Sequence, residues 1–407
     1  MHIWFIDHYG VPPIYKPLAR QTNFAKCLIE MGHTVKIFAA STPHNTNINL
    51  IDENITYKEV NYDGVNYVLV KCHRYQGNGI KRILNMFEFA FKLPGICKQF
   101  DKPDAIVSTS MTPLACAMGL KIGMKLKCKN IAQITDLWPE TLVAYNAVSK
   151  YHPAVLFLRR VEKWIYKTAD RIIFSMEGGY DYIKEQGWDK EIQRAKVCYI
   201  NNGVYLEQFD YNKEHFIVQD EDLRNENIFK VIYTGSVRRV NNLGKLLDVA
   251  KLVTNPKVKF LIWGDGDDLK RLKERINVEK ITNVSFKGRV EKKYIPYITI
   301  KANANFMHND SAPLFRFGMS PNKLFDYLAA GRPIICDFYV KYNPIAQYKA
   351  GVTVNTGKVE DIANAIDNFS QNIPERLTLY GKNAREAAKE FDFKVLTGKL
   401  IDVIEGI

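Results

Sequence analysis

Short apolar runs alternate with segments of helical spacing along the whole chain, which predicts parallel sheets joined by crossover helices. Residues 2–6 form a first apolar run. Residues 20–31 then place Phe24, Cys27, Leu28 and Met31 on one helical face, and Gly32-His33 turns the chain into a second run at 34–39. The loop between strand and helix, residues 7–19, is long and rich in Gly and Pro, and such loops at strand C-terminal ends are where open sheets bind ligands. Further strands are expected at 105–108, 130–134, 171–175 and 196–200. Residues 210–227 are polar and lack an apolar period, so a linker is expected there. The pattern then restarts with strands at 230–235, 259–263, 283–286 and 303–307, helices at 243–253 and 268–276, and terminal helices over 384–404. The expected fold class is α/β, with two Rossmann-like domains facing across a cleft.

One segment carries more chemistry than the others. Ser320-Pro321-Asn322-Lys323-Leu324-Phe325-Asp326-Tyr327-Leu328-Ala329-Ala330-Gly331-Arg332-Pro333 reads as a helix with a built start and a built stop. Ser320 is expected to cap it and Pro321 to occupy its first position. The free amides of Asn322 and Lys323 then face outward at the positive end of the helix dipole, a ready site for a phosphate. Lys323 adds a full charge, and Asp326, one turn on, can accept from sugar hydroxyls. Gly331 and Pro333 end the helix before the apolar run at 334–336. A phosphate and a polyol held by one helix describe a nucleotide-sugar; the bland alternative is an amphipathic helix with a good cap.

Composition narrows the choices. A chain of 407 residues suggests two domains. Its 46% hydrophobic and 25% charged content is that of a soluble globular protein. No apolar run reaches the ~20 residues needed to span a bilayer, and the start, with Asp7 close behind the first run, reads as a strand rather than a signal peptide. The seven cysteines are scattered without metal spacing, as in a reducing cytosol. The net charge of +13 is spread over the chain, with 26 Lys and Arg against 18 Asp and Glu in residues 1–200. Spread charge argues against a nucleic-acid-reading patch and suits anionic substrates or an anionic membrane face, or only solvation.

Other motifs keep two readings each. Trp263-Gly264-Asp265-Gly266-Asp267-Asp268-Leu269 lacks the third glycine of a dinucleotide fingerprint. Asp265 and Asp267 could hold a divalent ion, but a tight turn with Asp267 or Asp268 capping the next helix is the better reading, so no metal requirement is expected. Gly235-Ser236-Val237-Arg238-Arg239 leaves a strand where amides and guanidiniums could meet a diphosphate. Gly288-Arg289-Val290 leaves another, where backbone could read a base edge. Asp136-Leu137-Trp138-Pro139-Glu140 follows a buried strand, so Asp136 and Glu140 are expected on the cleft wall, with Trp138 either stacking on a sugar or plugging the core. Residues 80–92, basic at one end and rich in aromatics, fit a membrane surface or the domain core, the core reading being the better.

Residues 323–333 resemble the signature of glycosyltransferase family 4, retaining transferases with the GT-B fold. Gly32-His33, Ala169-Asp170-Arg171-Ile172-Ile173, Asn202-Gly203-Val204 and Tyr233-Thr234-Gly235 are similar to segments of that family, so the resemblance covers nearly the whole chain. Asp136-Leu137-Trp138-Pro139-Glu140 with Ser320-Pro321-Asn322-Lys323 looks like the branch of bacterial L-fucosamine transferases in O-antigen and capsule assembly.

The resemblance implies an acceptor-side domain at 1–205, a nucleotide-sugar domain at 206–385, and a terminal helix at 386–407 returning toward the first. It implies a UDP-sugar donor and no cofactor. Ser320, Pro321, Asn322, Gly235, Ser236 and Arg239 would surround the diphosphate, Asp326 the ribose, and Gly288, Arg289 and Val290 the base. Arg238 and Lys323 would stabilise the leaving group and Asp136 orient the acceptor hydroxyl. Lys16, Arg20 and Glu140 would face a lipid-linked saccharide acceptor, at the cytoplasmic face of the inner membrane and with no nucleic acid involved.

The chain departs from the family at three positions. The earlier of the family's two paired glutamates falls on Gly318, and its usual Arg and Lys after the Gly235 strand fall on Ser236 and Asn241. A UDP-sugar epimerase, which would need no acceptor, and a non-catalytic anion-binding protein remain as alternatives.

Overall fold

The computed structural model describes all residues except 16–19, 45, 53, 78, 146, 311 and 372–373. The chain divides into two compact units, one of residues 1–201 with 393–407 and one of residues 202–392.

The first unit is built on an eight-stranded sheet in the order β3-β4-β2-β1-β5-β6-β7-β8. Its strands are β1 (His2–Ile6), β2 (Thr34–Ala40), β3 (Tyr57–Tyr62), β4 (Val65–Val70), β5 (Ala105–Thr109), β6 (Lys129–Ile134), β7 (Arg171–Phe174) and β8 (Val197–Tyr199). All pairs are parallel except β3 with β4. That hairpin is absent from the strands expected above. Its signal was available in Asp63-Gly64, both at positive φ (51° and 79°), the dipeptide a tight primed turn requires. β1, β2 and β5 are buried along nearly their full length because helices cover the sheet, so their apolar runs are continuous rather than alternating. The core gathers Trp4, Ile6, Phe38, Val68, Phe89, Leu93 and Ile106. The last helix, Phe393–Glu405, belongs to this unit, with Phe393 edge-on to Phe24 at 5.3 Å.

The second unit is an all-parallel sheet in the order β11-β10-β9-β12-β13-β14. Its strands are β9 (Phe229–Thr234), β10 (Val258–Trp263), β11 (Val284–Gly288), β12 (Ala304–Met307), β13 (Ile334–Cys336) and β14 (Gly351–Thr353). The strand order reverses between β9 and β12, and the crevice at the C-terminal ends of those strands is where such sheets hold ligands.

The expected linker at 210–227 is not one. Those residues fold within the second unit, where the helix Leu206–His215 buries Phe209 and the short helix Glu221–Arg224 buries Leu223. A surface helix that buries a single side chain shows almost no apolar period, which is why the segment reads as linker in sequence.

Candidate functional site

At the switch point of the second sheet, β9 ends in Tyr233-Thr234 and passes into Gly235 at φ 154°. The neighbouring turn after β10 presses so close that a Cβ at Gly264 would lie 1.7 Å from the Gly235 carbonyl oxygen, and one at Gly266 2.3 Å from that of Val237. The glycines of the Gly264–Asp268 turn therefore serve backbone-to-backbone packing. Asp267 accepts from the Arg239 amide at 3.2 Å. Asp268 sits at the cap position of the next helix, but its carboxylate holds Arg271 at 2.6 and 2.7 Å instead of capping.

The helix Asn322–Ala329 projects at this switch point. Its buried Tyr327 hydroxyl receives the Thr234 amide at 2.8 Å and the Thr234 hydroxyl at 3.2 Å, tying the helix to the end of β9. Burial pushes the Tyr327 phenol up to about 12, so it stays protonated. At the helix start the structure corrects the expected cap. Pro321, not Ser320, occupies the cap position and supplies no side-chain bond. The Ser320 hydroxyl accepts from the Asn202 amide at 3.0 Å, and its carbonyl accepts from the Asn202 side chain at 2.7 Å. The amides of Asn322 and Lys323, lying in the first turn, are left without intrahelical acceptors, as a bound anion needs.

Lys323 is half-buried, its ammonium 4.3 Å from the centroid of the Tyr233 ring. It donates to the Tyr233 hydroxyl at 3.1 Å and to the His308 carbonyl at 3.3 Å. An ammonium has three donors, so one remains. Burial, opposed by Tyr327 and Asp337, lowers its pKa from the ordinary lysine value, and an arriving phosphate would reverse that shift. Arg238 and Arg239 are exposed on the adjoining loop, and neither forms an ion pair among the described residues. Ser236 and Asn241, the positions where the resembling family carries its cations, bond to each other at 3.0 Å.

Gly318 sits at φ 104°, ψ −172°, a backbone region essentially restricted to glycine. The missing glutamate is thus a matter of backbone path as well as side chain. Asp326 is buried and ion-paired with Lys292, a partner the sequence did not suggest. Gly288 turns at φ 80° with its carbonyl taken by the Gly264 amide at 2.8 Å. Arg289 beyond it is exposed, and Val290 packs inward on the cluster of Ile232, Leu261 and Ile298.

Two residues of this edge escaped sequence reading. His308 follows β12 and Asp337 follows β13. Both are buried, with Nδ1 2.5 Å from Oδ2, while the His308 Nε2 faces the Asn242 carbonyl at 3.2 Å. His308 thus holds Lys323 through its main chain and the loop after β9 through its ring. Position at the C-terminal end of a parallel strand is the signal that would have found them.

In the first unit Asp136 has a carboxylate with no side-chain partner among the described residues, and burial raises its pKa. Two expected acceptor-side groups are otherwise engaged. Glu140 is buried against Arg159. Arg20 donates to the carbonyls of Asn201 at 2.7 Å and Ile200 at 2.9 Å, and burial lowers its guanidinium to about 9. Both charges hold structure together instead of facing an open wall. Lys16 lies outside the described residues. At the end of β1 a further buried group appears, His8, whose Nε2 meets the Asn85 side-chain oxygen at 2.7 Å. The Asn85 amide nitrogen is committed to Thr42 and the His73 carbonyl, so Nε2 of His8 is the donor, and burial lowers its pKa to about 3.

Comparison with known proteins agrees with this layout. Residues 21–208 match Glycosyltransferase Family 4, and residues 217–387 match Glycosyl transferases group 1. A "Probable glycosyltransferase WbjE" of Pseudomonas aeruginosa is 24% identical over 282 residues, 65% of this chain and 64% of that protein. Among solved structures, HepE of Anabaena in complex with UDP has a TM-score of 0.71 at 14% identity, with 100% of both chains covered. Sucrose-phosphate synthase of Thermosynechococcus elongatus has a TM-score of 0.74 at 15% identity, covering 100% of this chain and 98% of that one. Two glycosyltransferase domain models thus match the chain one after the other, the stretch aligned with WbjE spans just under two thirds of that protein, and the two sheets have the GT-B fold of the solved structures.

Proposed function

We propose that the chain moves a sugar from a UDP-linked donor to a lipid-linked saccharide, with retention at the anomeric carbon, in bacterial surface polysaccharide synthesis. The observation that carries this reading is Lys323, an ammonium with a donor to spare, set beside open helix amides at the switch point of the second sheet. HepE, of the same fold, binds UDP, and WbjE is described as a glycosyltransferase. The sequence likeness to L-fucosamine transferases supports an N-acetylated amino or deoxyamino sugar and an O-antigen or capsule product, made at the cytoplasmic face of the inner membrane. Contact with that face is proposed to be peripheral; no described helix is long and apolar enough to cross a membrane.

The chemistry follows from where charge develops. As the bond from the anomeric carbon to the diphosphate breaks, negative charge grows on the leaving oxygen. Lys323, the amides of Asn322 and Lys323, and the arginines 238 and 239 stabilise it where it grows. The acceptor oxygen bonds to the anomeric carbon on the same face and passes its proton to the leaving phosphate. Asp136, raised in pKa and with no side-chain partner among the described residues, orients that hydroxyl. Asp326 holds the ribose by exchanging Lys292 for hydroxyl donors, and Gly288, Arg289 and Val290 border the base. With cationic side chains in this role, no metal ion or other cofactor is required.

A thermal-shift screen of UDP- and GDP-sugars tests the donor, since a ligand that binds only the folded chain raises its melting point. Product analysis with and without a saccharide acceptor tests the reaction. Conversion of the donor alone would make the protein an epimerase.

A further inference from the structure

The helix Ile80–Cys97 is apolar on two sides. One side, with Phe89, Leu93, Ile96 and Cys97, is buried in the first unit's core. The other carries Ile80, Ile83, Leu84, Phe87 and Phe91, which are 40–75% exposed. These residues fall at the i, i+3, i+4, i+7 and i+11 positions, one continuous face, and the rings of Phe87 and Phe91 stack at 6.0 Å. The better sequence reading, that the aromatics of this segment face the core, is therefore only half met. The helix cannot roll to hide the stripe, because its opposite side is pinned. Asn85 bonds His8, Thr42 and the His73 carbonyl, and Arg82 bonds the Tyr9 hydroxyl at 3.0 Å. Contiguous apolar surface of this kind marks a binding face.

The surrounding charge says what binds. Residues 80–127 hold eight Lys and Arg against three Asp and Glu. The lone acid of the helix, Glu88, is held by Lys92 and His73. Lys81 and Lys98 stand exposed at its two ends. The neighbouring helix Pro113–Leu126, packed against it, contains no acid and exposes Lys125, with Lys127 just beyond. An apolar stripe within a rim of exposed ammoniums suits neither an aqueous face nor a second copy of the same basic surface. It suits acyl chains beneath anionic headgroups.

We infer that this face docks on an anionic lipid bilayer, with Phe87 and Phe91 entering the headgroup–acyl boundary. The loop after β1 is joined to the helix through Tyr9 and Arg82, and it too exposes apolar side chains, Ile14 and Tyr15. The inference deepens the proposed lipid-linked acceptor but does not need it, because the stripe stands without any transfer reaction.

Co-sedimentation of the full chain with vesicles of phosphatidylglycerol and phosphatidylcholine, against phosphatidylcholine alone, tests it. The wild-type chain should pellet with the anionic vesicles, and Phe87→Ser with Phe91→Ser should weaken that binding roughly tenfold or more. Lys125→Glu with Lys127→Glu should abolish the preference for anionic lipid. Both variants should keep the wild-type melting point and its shift with UDP, which separates this test from that of the donor site. Wild-type chain left in the supernatant would overturn the inference, as would serine variants that bind undiminished. So would a concentration-dependent dimer that the serine variant dissolves, since the stripe would then serve self-association.

Discussion

The ammonium of Lys323 lies over the ring of Tyr233, 4.3 Å from its centroid, and donates to its hydroxyl at 3.1 Å. This contact joins the first turn of a helix to the end of β9 and fixes a positive charge at the sheet's switch point. Lys323→Ala should reduce turnover over Michaelis constant for the UDP-sugar by about 10²–10³-fold. Steady-state kinetics with calorimetry of UDP binding checks this; unchanged values would make the contact purely structural.

Tyr327 holds the same two elements from inside the core. Tyr327→Phe leaves the buried Thr234 amide without its acceptor and should cost about 1–3 kcal/mol of stability. Urea unfolding measures the cost. UDP affinity should fall as well, because the helix start loses its anchor to β9.

Restoring the family's missing carboxylate should not restore its function. Gly318→Glu forces a side chain into a backbone region that costs about 1–3 kcal/mol for any residue but glycine. The variant should melt lower than wild type, with donor affinity no better. A variant of wild-type stability and tighter donor binding would refute this account of the loop.

Glu162 is buried between the hydroxyls of Tyr166 and Tyr182, both donating at 2.8 Å, and burial raises its carboxyl to about 8. An ordinary glutamate in the unfolded chain titrates near its usual ~4.3. Between that value and 8 the folded chain binds the extra proton, so this group's contribution to stability is full at low pH and falls as pH rises toward 8. The slope is at most about 1.4 kcal/mol per pH unit. Glu162→Gln should flatten the decline and melt higher than wild type above pH 8. Parallel melting curves for both proteins across this range would show that Glu162 does not titrate there.

Chelation separates the two roles offered by the Gly264–Asp268 turn. With Asp267 on the Arg239 amide and Asp268 on Arg271, transfer should continue at full rate after exhaustive treatment with EDTA. Loss of activity restored by Mg²⁺ would assign Asp265 and Asp267 to a metal.

Much of this arrangement was legible beforehand. The apolar runs located eleven of the structure's strands because a parallel strand buried on both faces leaves an uninterrupted signature. The β3–β4 hairpin escaped, since its outer strand is half-exposed and weakly apolar. The helix at 322–329 and its lysine were legible because phosphate chemistry needs a helix start and a charge close together in sequence. His308 and Asp337 were not, because 29 positions separate them and only adjacent strands bring their ends together.

Two doubly wound sheets, the place where the second begins, and the charge and helix start suited to a diphosphate can all be read from the order of residues. These depend on periodicities and spacings of a few residues. Where side chains are committed emerges from the folded arrangement. Ser320 serves Asn202, 118 positions away, rather than its own helix. Arg20 and Glu140 are held inside the first unit, and the stripe from Ile80 to Phe91 is left in the open. A side chain's partner is set by whatever the fold brings within about 3 Å of it, and local spacing carries no record of that.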